Sequence, residues 1–181
     1  MDRTELLRKK LIYLFSFDVD LARRRREAKL PGHPITSFAH HFVGEPEQPV
    51  YSALGEPRVM GEEIPAGHVE FMQETMYYLP HQQYADISGR VLFRAKDEQL
   101  IEADYEGVVR AGRAWLAVRN EYGGKQGSHI ETKAHIHLRF ETGSTKYRWL
   151  VKHQCVGYGK LWLHTGEPSF ATFDIYAVDS S

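Results

Sequence analysis

From His68 onward, apolar residues recur at every second position in stretches rich in β-branched and aromatic types, with Gly, Pro and Asp between them. A period of two places neighbouring side chains on opposite faces of an extended chain and predicts strands. The candidate strands are 68–76, 89–96, 100–109, 113–119, 133–141, 147–156, 160–164 and 170–178. Helical signals are few: 2–10, short and charged, and a second stretch around 20–29. Residues 30–67 hold six of the eight prolines and are predicted to be extended loop around one strand near 35–43. About eight strands with short connections predict an all-β fold, a closed antiparallel barrel or a sandwich, because closure removes exposed strand edges.

The chain is expected to form a single domain over 1–181. Its first 66 residues are expected to be irregular and proline-rich, with a short N-terminal helix and one or two strands, and 67–178 to supply the main strands. One hairpin can be registered by arithmetic. A turn at Asp97, Glu98 and Gln99 sets Arg94 against Glu102 and Arg90 against Glu106, with Val91, Phe93 and Ala95 opposite Tyr105, Ala103 and Ile101. Charges then share one face and apolar groups the other, whereas a one-residue slip mixes them. The charged face is either wet or, in a hollow barrel, a lumen carrying Arg90 and Glu106 as a substrate-orienting pair.

Composition narrows the function. Of 181 residues, 42% are hydrophobic, and 23 basic against 24 acidic side chains leave a net charge of −1. That balance argues against a nucleic-acid or anionic-membrane partner. Cys155 is the only cysteine, which excludes an internal disulfide and a Cys-rich zinc module. The apolar run 11–17 is too short for a spanning helix or a secure signal segment, so a cytoplasmic protein is expected.

The densest chemistry is the segment HIHLRFETG at 135–143. Alternation aligns His135, His137, Arg139 and Glu141 on one side of a strand, with Ala134, Ile136, Leu138 and Phe140 on the other. The row reads as a solvent-facing stripe, as catalytic groups, or as part of a metal site holding His135, His137 and Glu141 with His153 or His164, similar to that of cupin barrels. The adjacent His40 and His41 point to opposite faces and cannot chelate one ion. The Arg23 to Arg26 run reads as a solvated face, and Cys155 as a buried spectator thiol. The glycine-containing connection 120–132 is long enough to be a lid, with Tyr122 and His129 as contact groups.

Three pieces carry a family resemblance: GRVLFRAKDEQLIEADYEGVV at 89–109, LRFETGSTKYRWL at 138–150, and VGYG with the closing FDIYAV at 156–178. They resemble the domain-of-unknown-function family 3237, whose members form allene-oxide-cyclase-like antiparallel barrels of calycin type. The resemblance covers Arg90 to Val178 and carries over Arg90, Arg139, Phe140, Glu141, Thr142, Tyr147 and Trp149 as candidate site residues. Val151 stands where family members commonly have an Asn.

Acidic, basic and imidazole groups cluster in the barrel-forming half, and the leading expectation is a cofactor-independent enzyme of isomerase, cyclase or lyase type acting on a hydrophobic or aromatic small molecule. Tyr105, Phe140, Tyr147 and Trp149 would shape the cavity, Glu141 or His137 would be the base, and Arg139 or Arg90 would hold a carboxylate or enolate. The alternatives are a non-catalytic small-molecule carrier and a cupin-like metalloenzyme. Exposed aromatics such as Tyr158, Trp162 and Tyr176 suggest a homodimer.

Overall fold

The structure, a computed structural model, describes residues 11–22, 28–29, 38–44, 48–51, 58–59, 62–63, 65–78, 83–110, 129–164 and 169–178. In chain order they form β1 (Leu11–Ala22), β2 (Ala28–Lys29), β3 (Phe38–Gly44), β4 (Gln48–Tyr51), β5 (Arg58–Val59), β6 (Glu62–Glu63), β7 (Gly67–Tyr78), β8 (Tyr84–Ala95), β9 (Leu100–Arg110) and β10 (His129–Glu141). The one-turn helix α1 (Arg148–Val151), β11 (Cys155–His164) and β12 (Ser169–Val178) complete the series. Ten strands make one curled antiparallel sheet in the order β12-β11-β10-β9-β8-β7-β4-β1-β3-β2, and β5 and β6 form a separate pair. The curl brings β1 against β12 in a long ladder from Leu11 opposite Val178 to Leu21 opposite Ser169. The other flank of β1 makes two pairs to β4 and two to β3, and these make three and seven pairs to β7.

The concave side is apolar because alternation points one residue in two inward. Phe15, Phe17, Phe93, Phe140 and Phe173 are fully buried and fill the middle. Phe93 meets Phe15 and Phe17 edge-on with centroids 5.8 and 5.0 Å away, and Phe17 stacks on Phe173 at 5.2 Å. Offset and edge-on contacts of this kind add to the burial of large rings. The described rings therefore fill the middle of the curl, where an open lumen was expected.

Several expectations change. Residues 1–66 contribute six strands, and β1 is central, with Leu14, Phe15, Phe17 and Val19 fully buried. The expected helix at 2–10 lies outside the described residues, while 20–22 and 28–29 of the second one are strand. The strand expected at 113–119 lies outside them too, as does the lid segment 120–132 apart from its last residues, which begin β10.

The strand expected at 147–156 is instead α1 followed by the start of β11. Its alternation misled because Trp149 and Leu150 are both buried, which one turn of helix satisfies and a strand facing water on one side does not. Among the described residues no helix is long and apolar enough to cross a membrane.

The β8–β9 hairpin turns one residue earlier than expected, over Lys96, Asp97 and Glu98, with the Ala95 amide donating to the Gln99 carbonyl at 2.9 Å. Glu98 takes the left-handed conformation, φ 63°, that ends such three-residue turns. Arg94 therefore faces Leu100, and Arg90 faces Asp104. The correction is an even number of residues, so each face keeps its character: Val91, Phe93 and Ala95 are buried with Ile101, Ala103 and Tyr105.

At one end of the curl, α1 is pinned from three sides. Lys146 Nζ lies 2.8 Å from both Glu63 and Asp97, the Tyr147 hydroxyl donates to Asp97 at 3.4 Å, and Trp149 Nε1 donates to the Glu63 carbonyl at 3.2 Å. Tyr147, Trp149 and Leu150 are buried there and plug that end. On the outside, Tyr158, Trp162 and Tyr176 are half-buried against His135, Phe170 and Tyr13.

Replacing Phe93 by Ala removes the ring that bridges β1 and β8. It should cost about 3–5 kcal/mol, read as a lowered midpoint in urea unfolding with an unchanged slope.

Candidate active site

The polar stripe faces out. His135, His137, Arg139 and Glu141 are all exposed on β10, and Arg90 and Glu106 are exposed beside them. Arg90 donates to Asp104 at 2.8 and 3.3 Å and lies 2.9 Å from Glu102. Asp104 first, and Glu102 with it, holds the guanidinium pKa above its ordinary value. Arg90, His137, Arg139 and Glu141 nevertheless line one open groove of about 1110 Å³. Its floor runs from Gln73 to Glu141 and its far wall is Val151 to Val156, so the stripe is gathered on the convex face rather than in a lumen.

Of the remaining expected residues, Phe140 belongs to the phenylalanine core, and Tyr147 and Trp149 belong to the plug. Thr142 caps a turn by donating to the Leu100 carbonyl at 2.7 Å. Cys155 is buried, and burial pushes its thiol up to about 12, which suits a spectator. Among the described residues no three His, Cys, Asp or Glu side chains come close enough to hold a metal ion, and the His135 ring packs edge-on against Tyr158 at 5.0 Å.

Tyr105, like Phe140, lies inside, and it leads to a residue that sequence reasoning missed. Its hydroxyl donates to Glu74 Oε2 at 2.7 Å. Glu74 is 1% exposed, and its other oxygen, Oε1, has no partner among the described residues. Backbone register explains the pairing: Glu74 on β7 stands opposite Gly89 on β8, which stands opposite Tyr105 on β9. A β-carbon at Gly89 would overlap the Tyr105 hydroxyl and the Gln73 carbonyl, so the missing side chain is the gap through which the tyrosine reaches across a strand.

Glu74 points inward because β7 is bulged. The ladder to β8 pairs Val69 with Phe93 and then Phe71 with Leu92, so Glu70 is the extra residue. Before the bulge Val69 is buried. After it Met72, Glu74 and Met76 are buried while Phe71 is exposed. The extra residue inverts the alternation: a regular strand would turn Phe71 inward and Glu74 outward, and the bulge carries the carboxylate into the core. Arg94 fixes the bulge by donating to both Glu70 oxygens, at 2.8 and 3.2 Å, and keeps that carboxyl below its usual range.

Burial drives the Glu74 carboxyl up to about 7, partly offset by the Tyr105 hydrogen bond. Burial and the neighbouring carboxylate drive the Tyr105 phenol well above its ordinary range. The pair is thus a carboxyl poised near neutrality, held by a phenol that stays protonated.

Fold and site together define an all-β protein, mostly antiparallel, whose curled sheet has an apolar inner face with the Glu74–Tyr105 pair among its described residues. The sequence profile of the family described as "Protein of unknown function (DUF3237)" matches residues 58–178, about two thirds of the chain, and the chain belongs to that family. No functionally curated protein matches it.

Among solved structures, a conserved protein of unknown function from Rhodopseudomonas palustris is 15% identical with a TM-score of 0.71, the alignment covering 94% of this chain and 98% of that one. A beta-barrel like protein from Acinetobacter baumannii is 17% identical with a TM-score of 0.59, covering 94% and 96%. An enzyme from Penicillium herquei is 11% identical with a TM-score of 0.55, covering 94% and 95%. These likenesses bear on the fold.

Two outcomes follow from this geometry. Gly89→Ala should displace the Tyr105 hydroxyl from Glu74 and lower stability by about 1–3 kcal/mol in thermal or urea unfolding. The unfolded carboxyl ionises near its ordinary 4.5 and the folded one near 7. Between those values the folded state holds the extra proton, so Glu74's contribution makes stability fall as pH rises, by about 3 kcal/mol in all, and levels off above 7. Glu74→Gln should flatten that part of the stability–pH curve.

Proposed function

We propose that the protein is a small-molecule enzyme of isomerase, cyclase or lyase type that moves a proton on an apolar, ring-bearing substrate, with Glu74 as the base and Tyr105 as the residue that positions it. One observation carries the reading: a fully buried carboxyl with an unpartnered oxygen and a proton affinity near neutral. A structural carboxyl would cost less if replaced by an apolar side chain of the same size, whereas a base needs this poise. The fold relative described as an enzyme supports catalysis over carriage. The closed form of the barrel expected from the strand count belongs to the same proposal, since the β1–β12 ladder would keep bulk water from the base.

In the reaction Glu74, ionised, accepts a proton from the substrate through Oε1. The electron pair left behind on the substrate shifts to form a new double bond or close a ring. The proton returns from the Glu74 carboxyl to a different substrate atom, so no other reactant is consumed. Tyr105 keeps its own proton throughout and donates it as a hydrogen bond to Oε2, which orients the carboxylate plane.

A second reading is favoured by the external groove that gathers Arg90, His137, Arg139 and Glu141. There Glu141 or His137 would be the base and Arg139 would hold an anionic group.

Deuterium incorporation at the α-carbon of cyclic aryl ketones, followed by NMR, separates the readings without knowledge of the natural substrate. Exchange should rise with pH through about 7 and fall at least ~100-fold in Glu74→Gln. In Tyr105→Phe the midpoint of the pH profile should move up, because the hydrogen bond that favours the carboxylate is lost. His137→Ala and Glu141→Ala should stay within about twofold of the parent, since neither touches Glu74. A loss of tenfold or more in those two, with Glu74→Gln unaffected, would move the site to the groove.

A further inference from the structure

We infer that the open groove on the convex face binds an α-amino acid as its zwitterion, with the carboxylate on Arg139 and the ammonium on Glu106. This rests on the groove of the second reading, in which Arg139 holds an anionic group, and is independent of Glu74.

The groove presents charge of both signs. Its cations are Arg90, Arg139 and Lys152, and its carboxylates are Asp104, Glu106 and Glu141. Arg90 is already taken: it donates to Asp104 at 2.8 and 3.3 Å, lies 2.9 Å from Glu102, and feels the charge of Glu141 as well. Arg139 and Glu106 are left over, since neither makes an ion pair or a side-chain hydrogen bond with any described residue. His137, which stands opposite Glu106, makes no ion pair with it either.

Register fixes the spacing of the two free groups. Between β10 and β9, His137 stands opposite Glu106 and Arg139 opposite Asp104, so Arg139 and Glu106 are diagonal neighbours on one face. Diagonal neighbours are about 7–8 Å apart at their α-carbons. An α-amino acid separates its ammonium nitrogen from its carboxylate by roughly 3 Å, and a charge-assisted hydrogen bond of about 2.8 Å at each pole extends the span to about 8–9 Å. The molecule therefore bridges two side chains that do not reach each other.

Ligands of one sign fit less well. A simple carboxylate puts its charge near Glu106 and Glu141 with nothing to offset them, and a simple amine puts its charge near Arg139 and Lys152. Lys152 belongs to the wall that leads into β11, beside β10 and away from β9, so it adds positive charge on the Arg139 side. The same wall sets the body of the ligand. Val156 stands opposite His137, and Val151 is 46% exposed, so an aliphatic side chain covers apolar surface that otherwise faces water.

The test measures binding of four six-carbon probes, norleucine, hexanoate, hexylamine and 6-aminohexanoate, to the full chain at pH 8, where imidazoles are neutral. Calorimetry gives the affinities, and the Arg139 Nε–H signal in nitrogen-15 NMR gives the place. Norleucine should bind at least about fivefold more tightly than each of the others and shift the Arg139 signal. Arg139→Gln should bring norleucine down to the level of hexylamine, and Glu106→Gln should bring it down to the level of hexanoate. Both positions are exposed, so the two variants keep the fold and test the poles separately. Glu74→Gln should bind norleucine as the parent does.

Hexanoate or hexylamine binding as tightly as norleucine would overturn the zwitterion, and 6-aminohexanoate doing so would overturn the spacing. Binding of no probe would make the groove a solvated face and overturn the site. Norleucine binding lost in Glu74→Gln but kept in Arg139→Gln would move the ligand to the other face of the sheet and overturn it too. The ketone exchange assay reads Glu74 and the groove bases, whereas this one reads Arg139 and Glu106, so either result can fail while the other stands.

Discussion

The single extra residue at Glu70 decides which face of β7 looks inward, and most of the site depends on it. A strand has only two faces, so one inserted position exchanges them for every residue that follows. Val69 before the bulge and Met72, Glu74 and Met76 after it all end up inside, and Phe71 is left exposed. Arg94 holds the bulge from β8 through both oxygens of Glu70, and the same strand provides Gly89, over which Tyr105 reaches Glu74. One strand therefore positions the acid–base pair twice, once by charge and once by the absence of a side chain.

The aromatic interior sets the conditions under which that pair works. Five phenylalanines and a plugged end exclude water from the middle of the curl, and a carboxyl in such surroundings holds its proton to higher pH than one in solvent. The exposed stripe on β10 is a chemical contrast. His137, Arg139 and Glu141 lie on the same sheet but on its wet face, where charges are screened and each side chain meets water. The two faces thus offer a polar open groove and a dry interior with one titrating group. The second is the more selective environment for moving a single proton.

Legibility followed the regularity of each segment. The alternation in 100–109 and 133–141 gave strands that the structure has, and it gave the correct faces of the β8–β9 hairpin even though the turn began one residue early. Family membership was readable from the same half of the chain. β1 was overlooked although Phe15, Ser16, Phe17, Asp18 and Val19 alternate, because basic residues ahead of an apolar run look like the start of a helix or leader. At 147–150 the alternation was real, but the buried pair Trp149 and Leu150 needed a helical turn. Tyr105 was singled out as an interior aromatic. Glu74 was not, since in HVEFMQETM each parity mixes polar with apolar residues and neither declares itself the core face.

By itself, then, the sequence determined an all-β antiparallel fold, the division of β8, β9 and β10 into one polar and one apolar face, and a family. A two-residue period is a local property and survives any arrangement of neighbours. The tertiary structure alone decided that the histidine and arginine row of β10 lies outside, that phenylalanines from β1, β8, β10 and β12 fill the middle, and that Glu74 meets Tyr105 across Gly89. Those facts depend on which strands become neighbours and on where a bulge shifts their register. They arise from contacts between residues far apart in the chain, which no local pattern encodes.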